Sequence, residues 1–155
     1  MKIDNILLDK LSAQAKVSPR LRMNLDLRNS DADSSQRMLN AIEPGSMVPI
    51  HRHRKTSETV VVLRGRVVEE YYSSAGVLEA SYELAAGGDA RSESGMTEVE
   101  SGMTESEAGM TEVACALNIP AGQWHTLRAL ESGTVILEMK DGAYEPISPE
   151  DMMER

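Results

Sequence analysis

The residues best suited to chemistry are His51, His53, Glu58 and His125. They include all three histidines of the 155-residue chain. His51 and His53 are separated by one residue, Glu58 follows after four more, and His125 stands far downstream. Imidazole nitrogens suit Zn, Cu, Fe or Ni, and a carboxylate adds Mn, so the set reads as a first-row metal centre. Three imidazoles and one carboxylate would leave one or two positions for water or substrate, as a catalytic metal requires. A lone histidine is usually a surface or satisfied core residue. The grouping carries the argument, not the count.

The spacing says what must position these groups. Residues two apart on a strand point to the same face, so His51 and His53 can hold one ion together. Glu58 then opens a strand whose Val60 and Val62 share its face, which puts the carboxylate at the rim of an apolar interior. Pro120 and Gly122 make a turn, and His125 follows as a new strand begins. If that strand lies beside the first pair, His125 supplies the third imidazole.

Around these positions the chain reads mainly as β. Ile3, Leu7, Leu8 and Leu11 recur at helical spacing behind Asp4, a good N-cap, and Ser18-Pro19 ends that pattern. Residues 19–35 are polar and irregular. Strands are expected over 37–42, 59–63, 67–72, 77–84, 113–119, 123–127 and 134–140, separated by turn residues, as in a sandwich or barrel. In the 113–119 strand Cys115 shares a face with Leu117, which predicts a small buried hydrophobe rather than a nucleophile. Ser148-Pro149 can cap and open a short terminal helical turn.

Between the two halves Gly-Met-Thr-Glu occurs three times with a period of seven, beginning at Gly95, Gly102 and Gly109. A coiled coil is rejected, because a glycine in every repeat costs about 1 kcal/mol each in a helix and only Met is strongly apolar. A duplicated acidic loop fits better, since doubling a flexible loop costs only about 0.6 kcal/mol.

The length suits one domain with a real core. Net charge is −9, from 25 acidic and 16 basic residues, which argues against phosphate-backbone contact and so against a nucleic-acid partner. A single cysteine excludes an intrachain disulfide framework and a Cys-rich zinc site. Neither a signal-peptide core nor an apolar run near the roughly 20 residues of a membrane span is evident. The expected setting is cytoplasmic, away from membranes.

Gly45, five residues, His51-x-His53, four residues, Glu58, six residues and Gly65 together resemble the first motif of the cupin superfamily. Pro120-x-Gly122-x-x-His125 resembles the core of the second, with Ala114 and Ala129 where that motif usually has Gly and Asn. Ser18-Pro19-Arg20, Gln36 to Ala41, His51-Arg52-His53, Glu58-Thr59 and Ile119 to Thr126 resemble, more narrowly, the WbuC family of cupin fold metalloproteins. The resemblance implies a double-stranded β-helix, a small jelly-roll barrel with its metal inside, preceded by the short helix. On that basis residues 1–35 form a helix and lead-in, 36–145 the barrel with 94–112 inserted as the repeat loop, and 146–155 a tail. It also implies a divalent transition metal (Fe, Mn, Zn or Ni), a homodimer, and an association with O-antigen and surface polysaccharide biosynthesis.

The expected function is therefore a metal-binding protein acting on a sugar or sugar-nucleotide related small molecule, as an enzyme or accessory protein. The alternative is a non-catalytic module whose metal orients a ligand or stabilises the barrel. The remaining polar residues have plainer readings. Arg52, Arg54, Arg64 and Arg66 could bind an anionic substrate, but charges beside strands and turns are usually solvated, which is the expectation here. Arg37 and Asn40 lie on opposite faces, so at most one looks inward. One of Tyr71 and Tyr72 belongs to the core, and Trp124 packs facing away from His125.

Overall fold

The computed structural model describes residues 1–88 and 113–153. The Gly-Met-Thr-Glu repeat lies outside the described residues. The order of elements is α1 (Asn5–Val17), β1 (Arg22–Asp26), β2 (Ser35–Ile42), β3 (Ile50–His51), β4 (Glu58–Arg64), β5 (Arg66–Tyr72), β6 (Leu78–Ala85), β7 (Ala116–Ile119), β8 (Trp124–Ala129), β9 (Thr134–Asp141) and β10 (Met152–Met153), with single 3-10 turns at Ala86–Gly88 and Pro149–Asp151. The strands form two five-stranded sheets, ordered β1-β2-β9-β4-β7 and β10-β3-β8-β5-β6, with antiparallel ladders.

Helix α1 starts where Asp4 accepts a hydrogen bond from the Leu7 amide. It ends before Pro19, whose ring disfavours helical backbone at Ser18. Its apolar stripe, Leu8, Leu11 and Ala15, buries against Leu39, Ala41 and Val135 on the outer face of the first sheet. Each large aliphatic buried there contributes about 1.5–3 kcal/mol relative to exposure.

The barrel interior is a second core, formed where the sheets face each other. Ile42, Val60, Val62, Ile119 and Ile136 come from the first sheet, and Val67, Leu84, Leu127 and Ala129 from the second. Strand β9 runs through the middle of the first sheet and is covered on both sides. Val135 meets the helix, while Ile136 meets the barrel core. Gly65 turns β4 into β5 at φ +75°, and a Cβ there would run into the Thr134 hydroxyl and backbone. Only glycine fits so close a crossing of the two strands.

Three expectations need correction. Residues 22–26, read as irregular, form β1 and pair in full register with β2, from Arg22 opposite Ile42 to Asp26 opposite Met38. A polar strand is tolerated there because β1 is an edge of its sheet. The strand expected over 113–119 is confined to Ala116–Ile119, and Ala114 makes only an isolated bridge to Leu84. Cys115 is consequently exposed, not a buried hydrophobe. The four arginines keep solvent contact, Arg54 most of all, and also make ion pairs: Arg52 and Arg54 with Asp151, Arg64 with Asp9, and Arg66 with Glu83. A further two-residue strand, β10, is too short to carry a periodic signal, and its pairing with β3 places Met152 opposite His51.

Candidate metal centre

The two histidine-bearing segments meet at the mouth of the barrel. His51 ends β3 and stands directly opposite His125 on β8. His53 lies beyond the end of β3, so strand parity does not orient it. Its carbonyl accepts a 2.7 Å hydrogen bond from the Gly122 amide, which fastens the two turns together. Gly122 takes a φ of +83°, the left-handed conformation that allows this tight turn before β8. Thr126 adds a 2.7 Å bond from its hydroxyl to the Val48 carbonyl ahead of β3.

The imidazole centroids are 5.1 Å apart for His51 and His53, 4.4 Å for His51 and His125, and 5.8 Å for His53 and His125. One nitrogen from each ring falls within 4.8 Å of the others. His51 Nδ1 donates to the Pro49 carbonyl at 3.0 Å, and His125 Nδ1 to the Gln123 carbonyl at 2.9 Å. These backbone contacts fix the tautomer and leave each Nε2 with its lone pair free to ligate. His125 Nε2 is buried and has no hydrogen-bond partner among the described residues. Burial, reinforced by the neighbouring His125, lowers the His51 pKa to about 4, and burial likewise lowers that of His125. Both rings are therefore neutral at pH 7, the form that binds metal.

Glu58, 4% exposed, opens β4 beside this cluster, as its place in the sequence anticipated. Its Oε2 approaches His53 Nε2 to 3.0 Å and Lys140 Nζ to 3.6 Å, off the line of a hydrogen bond, and has no hydrogen-bond partner among the described residues. Burial opposes ionisation of Glu58, but the contact with His53 and the Lys140 ammonium override it, and the pKa falls to about 2. Lys140 Nζ also lies 3.0 Å from His53 Nε2. A cation thus already stands against two of the four groups. The fit to a metal rests on the donor set itself: two buried donor atoms without partners among the described residues, two tautomers pinned by backbone, and an ionised carboxylate alongside.

All four residues line a cavity of about 420 Å³ that continues into the barrel. Sequence reasoning missed Glu69, Glu138 and Lys140, which line it too. It placed at most one of Arg37 and Asn40 inward, and Asn40 is the one at the cavity. Arg37 pairs with Asp33 at 2.7 Å. Glu69 is fully buried, and neither of its carboxyl oxygens has a partner among the described residues. Leaving such a group unpaired costs about 1–3 kcal/mol, so it calls for an explanation. Burial first, then repulsion from Glu58 and Glu138, holds its pKa well above the ordinary value. Burial and the Glu58 charge raise Glu138 to about 8. Trp124 is buried as expected, with the Arg52 guanidinium 4.5 Å from its ring centroid.

The two facing antiparallel sheets, the short N-terminal helix and the histidine-bearing mouth define a cupin fold. The chain belongs to the family described as "Domain of unknown function (DUF6016)", whose model matches residues 3–84. No curated protein matches the chain. Among solved structures it is similar to KdgF from Halomonas sp., with TM-score 0.53 and 12% identity over 83% of this chain and 85% of that one. It is similar to the capsular polysaccharide assembling protein CapF from Staphylococcus aureus, with TM-score 0.56 and 16% identity over 88% of this chain and 32% of CapF. It is also similar to an oxalate oxidase in complex with glycolate, with TM-score 0.57 and 14% identity over 86% of this chain and 57% of the enzyme. The chain thus spans most of KdgF, about a third of CapF and just over half of the oxidase. At these identities the likeness is one of fold. Among the described residues, no helix is long and apolar enough to cross a membrane.

Proposed function

We propose that this protein is a metallo-cupin that binds a small molecule at a divalent transition metal held by His51, His53, His125 and Glu58. The observation that carries this reading is the convergence of three imidazole nitrogens within 4.8 Å, two of them on rings whose other nitrogen is tied to a backbone carbonyl. When bound, the ion supplies Lewis acidity to a ligand oxygen, or an oxygen-binding centre if it is iron. The chain's own residues do the rest. Pro49 and Gln123 carbonyls orient the rings, Glu58 offsets the positive charge, and the barrel walls exclude bulk water. All four groups face the cavity, so a small molecule entering it reaches the ion directly.

The proposed setting is sugar or sugar-nucleotide chemistry in surface polysaccharide biosynthesis. The support is the sequence resemblance to the WbuC family and a fold shared with a capsular polysaccharide assembling protein. Elemental analysis of protein produced with metals supplied and purified without chelator tests the centre. About one Fe, Mn, Zn or Ni per chain is expected, and its loss in His51→Ala. A metal-free wild type would end this reading.

A further inference from the structure

We propose that Glu69 and Glu138 form a second polar subsite inside the barrel, one row beyond the histidines, which takes hydroxyl groups of an uncharged sugar or polyol. The register places them. Across β5 and β8, Tyr71 stands opposite His125 and Glu69 opposite Leu127. Across β4 and β9, Lys140 stands opposite Glu58 and Glu138 opposite Val60. In both sheets the carboxyl thus lies two strand residues, about 7 Å, inward of the row that carries the metal donors. The next row inward, Val62, Val67, Ala129 and Ile136, closes the barrel with apolar side chains. The interior is therefore layered as donors, carboxyls and apolar floor.

Glu69 occupies an inward position between Val67 and Tyr71, where packing alone would favour a hydrophobe. It is fully buried, lines the cavity, and leaves both oxygens without a partner among the described residues. A structural carboxyl would be matched by donors from the protein. One left unmatched and facing a cavity is matched by what the cavity holds. Glu138 faces the same space from the other sheet, beside the Asn40 amide. Two carboxyls and an amide accept and donate to hydroxyls, whereas an anionic group in this row would face two acidic side chains. Burial keeps both carboxyls poised to hold a proton, which suits them to hydroxyl ligands. The subsite deepens the metal-centre reading, on which it rests for the idea of a ligand reaching from ion to floor.

The test uses the full chain loaded with zinc, and follows amide and methyl chemical shifts on titration with D-glucose, D-galactose, D-mannose, glycerol, D-glucuronate and glucose 6-phosphate. At least one neutral compound is expected to shift barrel-interior resonances. Its dissociation constant should rise on the order of tenfold or more in Glu69→Leu, with the isosteric Glu138→Gln showing a smaller loss. Glu69→Leu should also raise Tm, since it removes an unmatched buried carboxyl, and it should retain zinc. The subsite is overturned if no neutral compound binds, if Glu69→Leu binds as the wild type does, or if Glu69→Leu lowers Tm, which would make the carboxyl structural. A folded wild type that takes up no zinc but still shows Glu69-dependent shifts would remove the metal centre and leave the subsite standing.

Discussion

At the residue scale, the groups that decide the chemistry are few and closely coupled. Lys140 lies within 3.0 Å of His53 and 3.6 Å of Glu58, so its ammonium competes with any cation for those donors. Replacing it by methionine keeps the stem and removes the charge. Lys140→Met is expected to tighten zinc binding on the order of tenfold, read by competition with a chromophoric chelator, because like charges at such distances repel appreciably even under partial screening. Weaker zinc binding in that variant would show instead that Lys140 orients Glu58 productively. Glu58→Gln keeps the shape and removes the counter-charge. It is expected to weaken zinc in the same assay by a similar factor.

At the scale of elements, glycine turns and ion pairs set where the donors point. Gly65 brings β4 and β5 together at φ +75° hard against Thr134. Gly65→Ala is expected to destabilise the fold by about 2–4 kcal/mol in denaturant titration, from the left-handed backbone and the clash together. Strand β10 is held on β3 by a short ladder, by the Arg52 amide donating to the Asp151 carbonyl at 3.1 Å, and by Arg52 reaching the Asp151 carboxylate at 2.7 Å. Asp151→Ala should release this segment. Hydrogen exchange at the Arg52 amide is expected to quicken on the order of tenfold while amides in the middle of β9 are unchanged, as for local opening at a sheet edge. Equal protection in both proteins would mean that the ladder alone suffices.

At the scale of the whole molecule, burying neutral histidines ties stability to pH. The His51 pKa falls from its ordinary 6.5 to about 4 on folding, so between these values the unfolded chain binds more protons than the native one. Stability of the metal-free protein from this group is complete above about pH 6.5 and declines as pH falls toward about 4. His125 shifts in the same direction and adds to the decline. Glu69 and Glu138, whose pKa values are raised on folding, act in the opposite sense over the same range, so the histidine contribution is read as a difference: in thermal melts of metal-free protein, the Tm of the wild type should lose ground to that of His51→Gln from pH 7 to pH 4. Zinc should raise Tm at pH 7 and lose that effect toward pH 4, because protons and metal compete for the same nitrogens.

How much was legible follows from what each signal depends on. Local patterns show in one chain segment alone: the Asp4 cap and Pro19 stop of α1, the turns at Gly65 and Gly122, and the His-x-His spacing with Glu58 heading a strand. These gave the mainly β barrel and the four candidate donors. Strand parity says which residues share a face but not which face is inside. In β9, Leu137 and Met139 alternate with Glu138 and Lys140, and ordinary reasoning sends the charged pair to solvent. The helix covers the outer face of that strand instead, so the charged residues turn into the barrel. Glu69 was hidden in the same way within β5. By itself, then, the sequence determined the spacing of the candidate donors and the local chemistry that ends each element. Only the tertiary structure decided that His53 and Gly122 are bonded across the mouth, that Lys140 sits among the candidate donors, and that two carboxyls face the cavity. Those facts depend on which distant segments pack together, and no local pattern records that.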